Sequence, residues 1–122
     1  MPRPKSSAAP NASLYPEKGP GRQLKSRMQK GDVLVGGILG EIVRPALVRL
    51  YQQAGFDFVY IEYEHAFFSP TDLADTVQAA RDNGLPVIAK TPQLERAEVA
   101  RLLECGVVGI QLPRTESRAQ LT

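Results

Sequence analysis

The stretch that decides the fold is Gly55-Phe56-Asp57-Phe58-Val59-Tyr60-Ile61-Glu62-Tyr63-Glu64-His65. A glycine that ends a helix leads into aromatic and β-branched residues, a composition typical of a buried strand. Two carboxylates and the single histidine of the chain, His65, follow at the end of that strand. In barrels of alternating strands and helices, active sites are built at the carboxyl ends of the strands. The stretch therefore predicts a strand that delivers a base and two acids to such an end.

Outward from this stretch, short apolar strands alternate with helices that have one apolar face. Strands are predicted over 33–39, 57–62, 86–90 and 107–112. Helices are predicted from Pro45 to Gly55, from Ser69-Pro70 to Asn83-Gly84 and from Leu94 to Cys105, with a fourth beginning at Thr115. The inner face of the first is expected to hold Leu47, Leu50, Tyr51 and Ala54, and that of the third Val99, Leu102 and Leu103. The order β-α-β-α-β-α-β predicts an α/β fold with a parallel sheet covered by helices.

Two architectures fit this order, an open doubly wound sheet and a (β/α)₈ barrel of the TIM type. The segment Gly36-Gly37-Ile38-Leu39-Gly40 lacks the Gly-x-Gly-x-x-Gly spacing of a dinucleotide-binding sheet, and no P-loop motif is present. A complete barrel has eight strands and roughly 250 residues. We therefore expect residues 24–122 to form the N-terminal half of a barrel, with four strands and three to four helices.

The first residues differ from the rest of the chain in composition. Residues 1–23 contain five prolines and no periodic apolar residues, so they are predicted to be a disordered, basic, Pro-rich tail. A short amphipathic helix is predicted from Leu24 to Lys30. The charges of the tail are scattered and Tyr15 is its one aromatic residue, so we expect no nucleic-acid partner. No apolar run reaches the roughly 20 residues that span a membrane, and no secretory signal is visible, so a cytoplasmic location is the default over a transit peptide.

One cysteine, Cys105, excludes an internal disulfide framework and a cysteine-only metal cage. It lies at the end of a predicted helix beside Leu102 and Leu103. A packed, unreactive thiol is the interpretation that this position favours over a nucleophile.

Polar residues follow three of the predicted strands: Glu62 to His65 the second, Lys90 the third and Arg114 the fourth. A histidine takes up a proton near physiological pH, and a cation nearby can stabilise an oxyanion or enolate. A base, an orienting acid and a cation suit proton abstraction beside a carbonyl, or the reverse of an aldol addition. From the residues alone, a surface histidine with solvated carboxylates remains the alternative. A metal site made of Glu62, Glu64 and His65 is not expected, because ligands so close in sequence do not converge without help from elsewhere.

The stretch from Gly55 to His65 resembles a motif of the HpcH/HpaI aldolase family, whose members read close to Gly-Phe-Asp-(apolar)-(apolar)-x-(apolar)-Asp-x-Glu-His. Further segments are similar in the same order: Lys30-Gly31 before the first strand, Glu41 before the first helix, 86–92 and 103–113. The similarity extends from about Leu24 to the end of the chain.

The resemblance implies a lyase with a (β/α)₈ barrel that reversibly cleaves 4-hydroxy-2-oxo acids to pyruvate and an aldehyde. It also implies a divalent metal, Mg²⁺ or Mn²⁺ with Co²⁺ as an alternative, held by a Glu and an Asp beyond residue 122, so that no metal ligand lies in this chain. His65 matches the histidine of proton transfer, Glu62 the supporting acid, usually Asp, and Lys90 the position of a substrate-binding arginine. A homo-oligomer is expected for a full-length protein.

Because the implied ligands lie outside the chain, the isolated 122 residues are expected to be inactive. Two alternatives remain open. One is a non-catalytic half-barrel that self-associates. The other is a related barrel lyase that acts on acyl-thioester or dicarboxylic substrates.

Overall fold

The computed structural model describes residues 19–121, which form one four-stranded parallel sheet with intervening helices. The helices are α1 (Pro20–Gln29), α2 (Pro45–Gln53), α3 (Pro70–Asp82) and α4 (Arg96–Cys105), with a 3₁₀ turn at Arg118–Leu121. The strands are β1 (Gly36–Leu39), β2 (Phe58–Glu62), β3 (Val87–Lys90) and β4 (Gly109–Gln111). The spatial order β1-β2-β3-β4 follows the sequence without a reversal. This is the order of part of a (β/α)₈ barrel, since a doubly wound sheet reverses its strand order.

The boundaries of α2 and α3 and the end of α4 follow the predicted signals, whereas α4 begins at Arg96, two residues after the predicted start at Leu94. Proline occupies the first position of α2 and α3, where its missing N–H is not needed. Ser69 Oγ accepts a hydrogen bond of 3.2 Å from the backbone N–H of Asp72 and caps α3. Gly55 and Gly106 follow α2 and α4 with φ of 82° and 117°, a conformation that side chains disfavour.

At the amino end, α1 begins at Pro20, earlier than the predicted start at Leu24. Residues 20–23 are therefore helical, which corrects the predicted extent of the tail. The physical reason is that α1 is anchored: Leu24 is buried, and Arg27 Nη1 lies 2.6 Å from Asp57 Oδ1. Residues 1–18 of the predicted tail lie outside the described residues.

The strands are shorter than predicted. The first begins at Gly36 instead of residue 33, because Val33 is exposed and the N–H of Val35 donates to Asp57 Oδ2 at 2.9 Å. The last strand covers Gly109–Gln111, and a 3₁₀ turn stands where a fourth helix was expected.

Two predicted helix faces need correction. Val48 is the fully buried residue of α2, whereas Leu50 and Ala54 are exposed. In α4, Leu102 is buried but Leu103 is half exposed. Apolar character alone did not decide which side of these short helices meets the sheet, because each has apolar residues on more than one side.

The two faces of the sheet have different surroundings. Alternate strand residues on the first face are buried under the helices, and the core contains Leu39, Val59, Ile61, Val87, Ala89, Val48, Val77, Ala80 and Leu102. The second face presents Ile38, Phe58, Tyr60, Ile88 and Lys90, which are partly or largely exposed. Among residues 19–121, no helix combines the length and the apolar character needed to cross a bilayer.

Candidate active site

The carboxyl ends of β2, β3 and β4 lie at one level of the sheet. Glu62 pairs in register with Lys90, and Lys90 pairs with Gln111. The loops that follow β2 and β4 add three further side chains at the same edge. We call Glu62, Glu64, His65, Lys90 and Arg114 the strand-end cluster. All three polar positions predicted at strand ends therefore meet in one place.

Glu64 is the centre of the strand-end cluster. Its side chain is only 3% exposed, although it lies in a loop. Its Oε2 lies 2.5 Å from Lys90 Nζ and 3.4 Å from His65 Nε2. Its Oε1 accepts a hydrogen bond of 2.8 Å from Arg114 Nε. One carboxylate thus connects the segments that follow three neighbouring strands.

The charges of this cluster stabilise one another. The hydrogen bond from Lys90 lowers the pKa of Glu64, and it outweighs the opposing effect of burial. In return, the bond to Glu64 raises the pKa of Lys90 above its ordinary value of 10.5. Both groups are therefore charged at neutral pH. Lys90 is a cation held at the end of β3 by its contact with Glu64.

Glu62 has a different set of contacts from the one expected for an acid that supports His65. Its Oε1 accepts a hydrogen bond of 3.0 Å from the backbone N–H of Glu64, and its Oε2 lies 3.7 Å from Lys90 Nζ. The carboxylate at 3.4 Å from His65 belongs to Glu64. The role assigned to Glu62 from the sequence stays a prediction.

One member of the site, Tyr60, was not identified from the sequence, and the central position of Glu64 was not predicted. The Tyr60 hydroxyl donates a hydrogen bond of 2.6 Å to Gln111 Oε1. Tyr60 lies on β2 two residues before Glu62, and burial raises its pKa. The sequence places Glu64 at the end of β2 but does not indicate that it binds both Lys90 and Arg114. A signal existed for both, because Tyr60, Glu62 and Glu64 follow the two-residue period of a strand and so point to the same side.

The two acids and His65 are candidate ligands for a divalent metal. One ligand atom from each of Glu62, Glu64 and His65 lies within 4.8 Å of the others. This corrects the expectation that these three residues do not converge. However, both oxygens of Glu64 already bind cations, namely Lys90 Nζ and Arg114 Nε. A divalent metal at this position would need the negative charge of Glu64, which Lys90 and Arg114 already neutralise. This set of residues therefore does not fit a divalent metal.

The remaining chemistry of the cluster is that of anion binding and proton transfer. Lys90 and Arg114 balance the charges of the two glutamates. The side chain of His65 is 65% exposed, so it is accessible to a substrate or to water. Imidazole is the side-chain group used most often for general acid–base catalysis.

Comparison with known proteins identifies relatives of this chain. No protein-family model matches the sequence. The 4-hydroxy-4-methyl-2-oxoglutarate aldolase tasA of Hapsidospora irregularis is 30% identical over 79 residues, which is 64% of this chain and 29% of that protein. An HpcH/HpaI aldolase from Desulfitobacterium hafniense DCB-2 has a similar structure, with a TM-score of 0.74 and 33% identity over 80% of this chain. The citrate synthase SbnG has a TM-score of 0.73 and 26% identity, also over 80% of this chain.

The chain spans less than half the length of these relatives, 38% of the HpcH/HpaI aldolase and 40% of the citrate synthase. Within that span, both the fold and the sequence are similar to those of aldolases. The described residues are similar to part of the barrel of an HpcH/HpaI aldolase, which confirms the family resemblance and the partial TIM-barrel fold.

Proposed function

We propose, from the similarity of this chain to the HpcH/HpaI aldolases, that it provides part of the active site of a carbon–carbon lyase. Its relatives are aldolase and lyase-family enzymes. The proposed reaction is reversible cleavage of a 4-hydroxy-2-oxo acid to pyruvate and an aldehyde. The curated relative is named for a 4-hydroxy-2-oxo acid, 4-hydroxy-4-methyl-2-oxoglutarate. Because C4 of that compound carries a methyl group, the same bond cleavage releases a ketone, a second pyruvate, in place of the aldehyde. The observation that supports the proposal most is the meeting of His65 and Lys90 at one buried carboxylate.

In the proposed cleavage, His65 accepts the proton of the C4 hydroxyl through a water molecule. The O–H electron pair becomes the second bond of the aldehyde carbonyl, and the C3–C4 bond breaks. Its electron pair forms the enolate of pyruvate, and C3 then regains a proton from the imidazolium. Such general acid–base steps contribute roughly 10²–10⁴-fold to rate. The exposure of His65 and its contact with Glu64 suit this exchange.

Lys90 is proposed to bind the pyruvate half of the substrate and the oxygen on which enolate charge develops. An ammonium has three donors. One is used by Glu64 at 2.5 Å, and Glu62 lies farther away at 3.7 Å, so donor capacity remains for a substrate oxygen. Lysine lacks the planar fork with which an arginine grips two oxygens together. The contact of Lys90 with Glu64 restricts the position of the ammonium and so replaces part of the orientation that an arginine would provide.

A divalent metal, Mg²⁺ or Mn²⁺, belongs to the same proposal. It would act as a Lewis acid toward the substrate. Because Glu64 is engaged by two cations, we propose that the metal binds residues outside the strand-end cluster. The roles proposed for His65 and Lys90 do not involve it.

The proposal is tested by measuring pyruvate release from 4-hydroxy-4-methyl-2-oxoglutarate with Mg²⁺ or Mn²⁺, using this chain and the longest protein that its gene encodes. In the active form, His65→Ala is expected to lower kcat by roughly 10²–10⁴-fold. Lys90→Met is expected to lower kcat and raise KM. Gln53→Ala, an exposed change at the carboxyl end of α2, is the matched control. An unchanged kcat in His65→Ala would remove His65 from the mechanism, and absence of pyruvate from every form would overturn the proposed reaction.

A further inference from the structure

One hydrogen bond between side chains joins two strands that are not neighbours in the sheet. The Tyr60 hydroxyl on β2 donates to Gln111 Oε1 on β4 at 2.6 Å. β3 lies between these strands, and Tyr60 pairs in register with Ile88, two residues before Lys90. The hydrogen bond therefore crosses β3 on the second face of the sheet, next to the strand-end cluster. No step of the proposed cleavage uses these two side chains.

The contact with Tyr60 fixes the orientation of the Gln111 amide. A side-chain amide has one acceptor oxygen and an NH₂ group with two donors. Because the Tyr60 hydroxyl binds Oε1, the end of the amide that remains available is the NH₂ group. Within residues 19–121, Gln111 Nε2 has no hydrogen-bond partner, and the residue is exposed. Burial raises the pKa of Tyr60, so the phenol stays protonated at neutral pH and continues to hold the amide oxygen.

Gln111 lies beside Lys90 at the carboxyl ends of the strands. The two residues are partners in the parallel ladder, and neighbouring strands are about 5 Å apart. Register partners project to the same side of a sheet, so both side chains leave the second face. The Lys90 ammonium uses one of its three donors on Glu64 at 2.5 Å. Two groups with unused donors therefore lie side by side, an arrangement that binds an oxygen on which negative charge develops.

We propose that Gln111 is a second hydrogen-bond donor to the enolate oxygen, beside Lys90, and that Tyr60 is the positioning residue that orients its amide. The inference rests on the proposed function, in which Lys90 binds the oxygen on which enolate charge develops. Gln111 Nε2 donates a hydrogen bond to that oxygen, and no proton is transferred. Because the oxygen carries more charge in the enolate than in the 2-oxo acid, this hydrogen bond strengthens as the C3–C4 bond breaks. Its loss is therefore expected to lower kcat more than it raises KM.

The test measures kcat and KM for pyruvate release by the longest protein that the gene encodes. Gln111→Met keeps the approximate size of the side chain and removes its donors. It is expected to lower kcat roughly 10- to 100-fold, less than in an enclosed oxyanion hole because Gln111 is exposed. Tyr60→Phe is expected to lower kcat about threefold to tenfold, because the amide loses the hydrogen bond that orients it. Gln53→Met, at the exposed carboxyl end of α2, is the matched control and should change neither constant.

Two further variants separate hydrogen-bond donation from a structural role. Gln111→Glu keeps an oxygen that the Tyr60 hydroxyl can bind, but it replaces the NH₂ group with a negatively charged oxygen. Its kcat should therefore fall at least as far as that of Gln111→Met. In the double variant of Tyr60→Phe and Gln111→Met, loss of the hydroxyl should lower kcat no further, because Tyr60 acts through Gln111. Urea unfolding confirms that each variant is folded.

The outcomes distinguish this inference from the proposed function. If His65→Ala loses activity whereas Gln111→Met or Gln111→Glu keeps kcat within about twofold of the wild type, Gln111 is not a donor to the enolate and the proposed function stands. If the effects of Tyr60→Phe and Gln111→Met on kcat are additive, Tyr60 does not act through the amide. If no form of the protein releases pyruvate, the proposed reaction is overturned, and the role of Gln111 is overturned with it.

Discussion

Lys90 Nζ lies 2.5 Å from Glu64 Oε2, and this contact joins the end of β3 to the loop after β2. The lysine is 18% exposed and the carboxylate 3%, so each charge is paired where water has little access. Removal of one partner leaves the other without compensation. The pair therefore links the stability of the strand-end cluster to the protonation of Glu64.

Glu64→Gln is expected to destabilise the fold in a pH-dependent manner. Hydrogen bonding to Lys90 lowers the pKa of Glu64 from its ordinary value of 4.5, so its contribution is fully present above that value and is lost as the pH falls through the folded-state pKa. The difference in free energy of unfolding between wild type and variant should therefore be largest near neutrality and shrink in acid. Urea titrations at several pH values measure it. Glu104→Gln, on the exposed side of α4, is the control, and a pH-independent difference would contradict the coupling.

Lys90 is expected to react slowly with amine reagents in the wild type and faster in Glu64→Gln. The hydrogen bond to Glu64 raises the pKa of Lys90, which keeps the ammonium protonated and therefore not nucleophilic. Acetic anhydride labelling followed by peptide mass spectrometry gives the rate for each lysine. Lys25, an exposed residue of α1, serves as the internal reference. Equal relative rates at Lys90 in the two proteins would show that Glu64 does not control its protonation.

Gly37→Ala is expected to destabilise the protein because β1 passes close to α2. A Cβ at residue 37 would lie 2.6 Å from Cδ1 of the Tyr51 ring. The ring cannot shift freely, since the Tyr51 hydroxyl donates to the carbonyl oxygen of Ile38 at 2.9 Å. Overpacking of this kind costs about 1–3 kcal/mol. Gly40→Ala is the matched control, because a Cβ there meets no atom within 4 Å and its φ is ordinary. Equal stability of the two variants would contradict the close approach.

Much of this fold was predictable because its signals are local. Ser69 with Pro70 begins α3, and Gly55 and Gly106 end α2 and α4, each through the conformational preference of one or two residues. The strand order then follows from the alternation of strands and helices. What the sequence did not predict depends on contacts between distant segments. The early start of α1 and the late start of β1 both involve Asp57, which binds Arg27 and the N–H of Val35.

The position of the candidate site was predictable from the sequence, but its hydrogen bonds and ion pairs were not. The register of the parallel strands brings Glu62, Lys90 and Gln111 to one level of the sheet. Residues at the strand ends are therefore expected to be neighbours. Which carboxylate accepts which donor depends on the path of two loops. The turn at Arg114, with its positive φ, directs that side chain back toward Glu64. No periodicity in the sequence indicates such a turn at an arginine.

Ile61 and Ile38 provide a test of which sheet face is buried in solution. Ile61 is 0% exposed beneath the helices, whereas Ile38 on the second face is 60% exposed. Ile61→Val is expected to lower the free energy of unfolding by about 0.5–1.5 kcal/mol and Ile61→Ala by about 2–5 kcal/mol, because each deletion leaves a cavity. Ile38→Val should change it by less than about 0.5 kcal/mol, as is usual for surface substitutions. Urea unfolding with sedimentation at the same protein concentration measures both stability and mass. If Ile38→Val lowers the free energy of unfolding as much as Ile61→Val does, the second face is not exposed in solution. A doubled mass would then identify a second copy of the chain as the partner that covers this face.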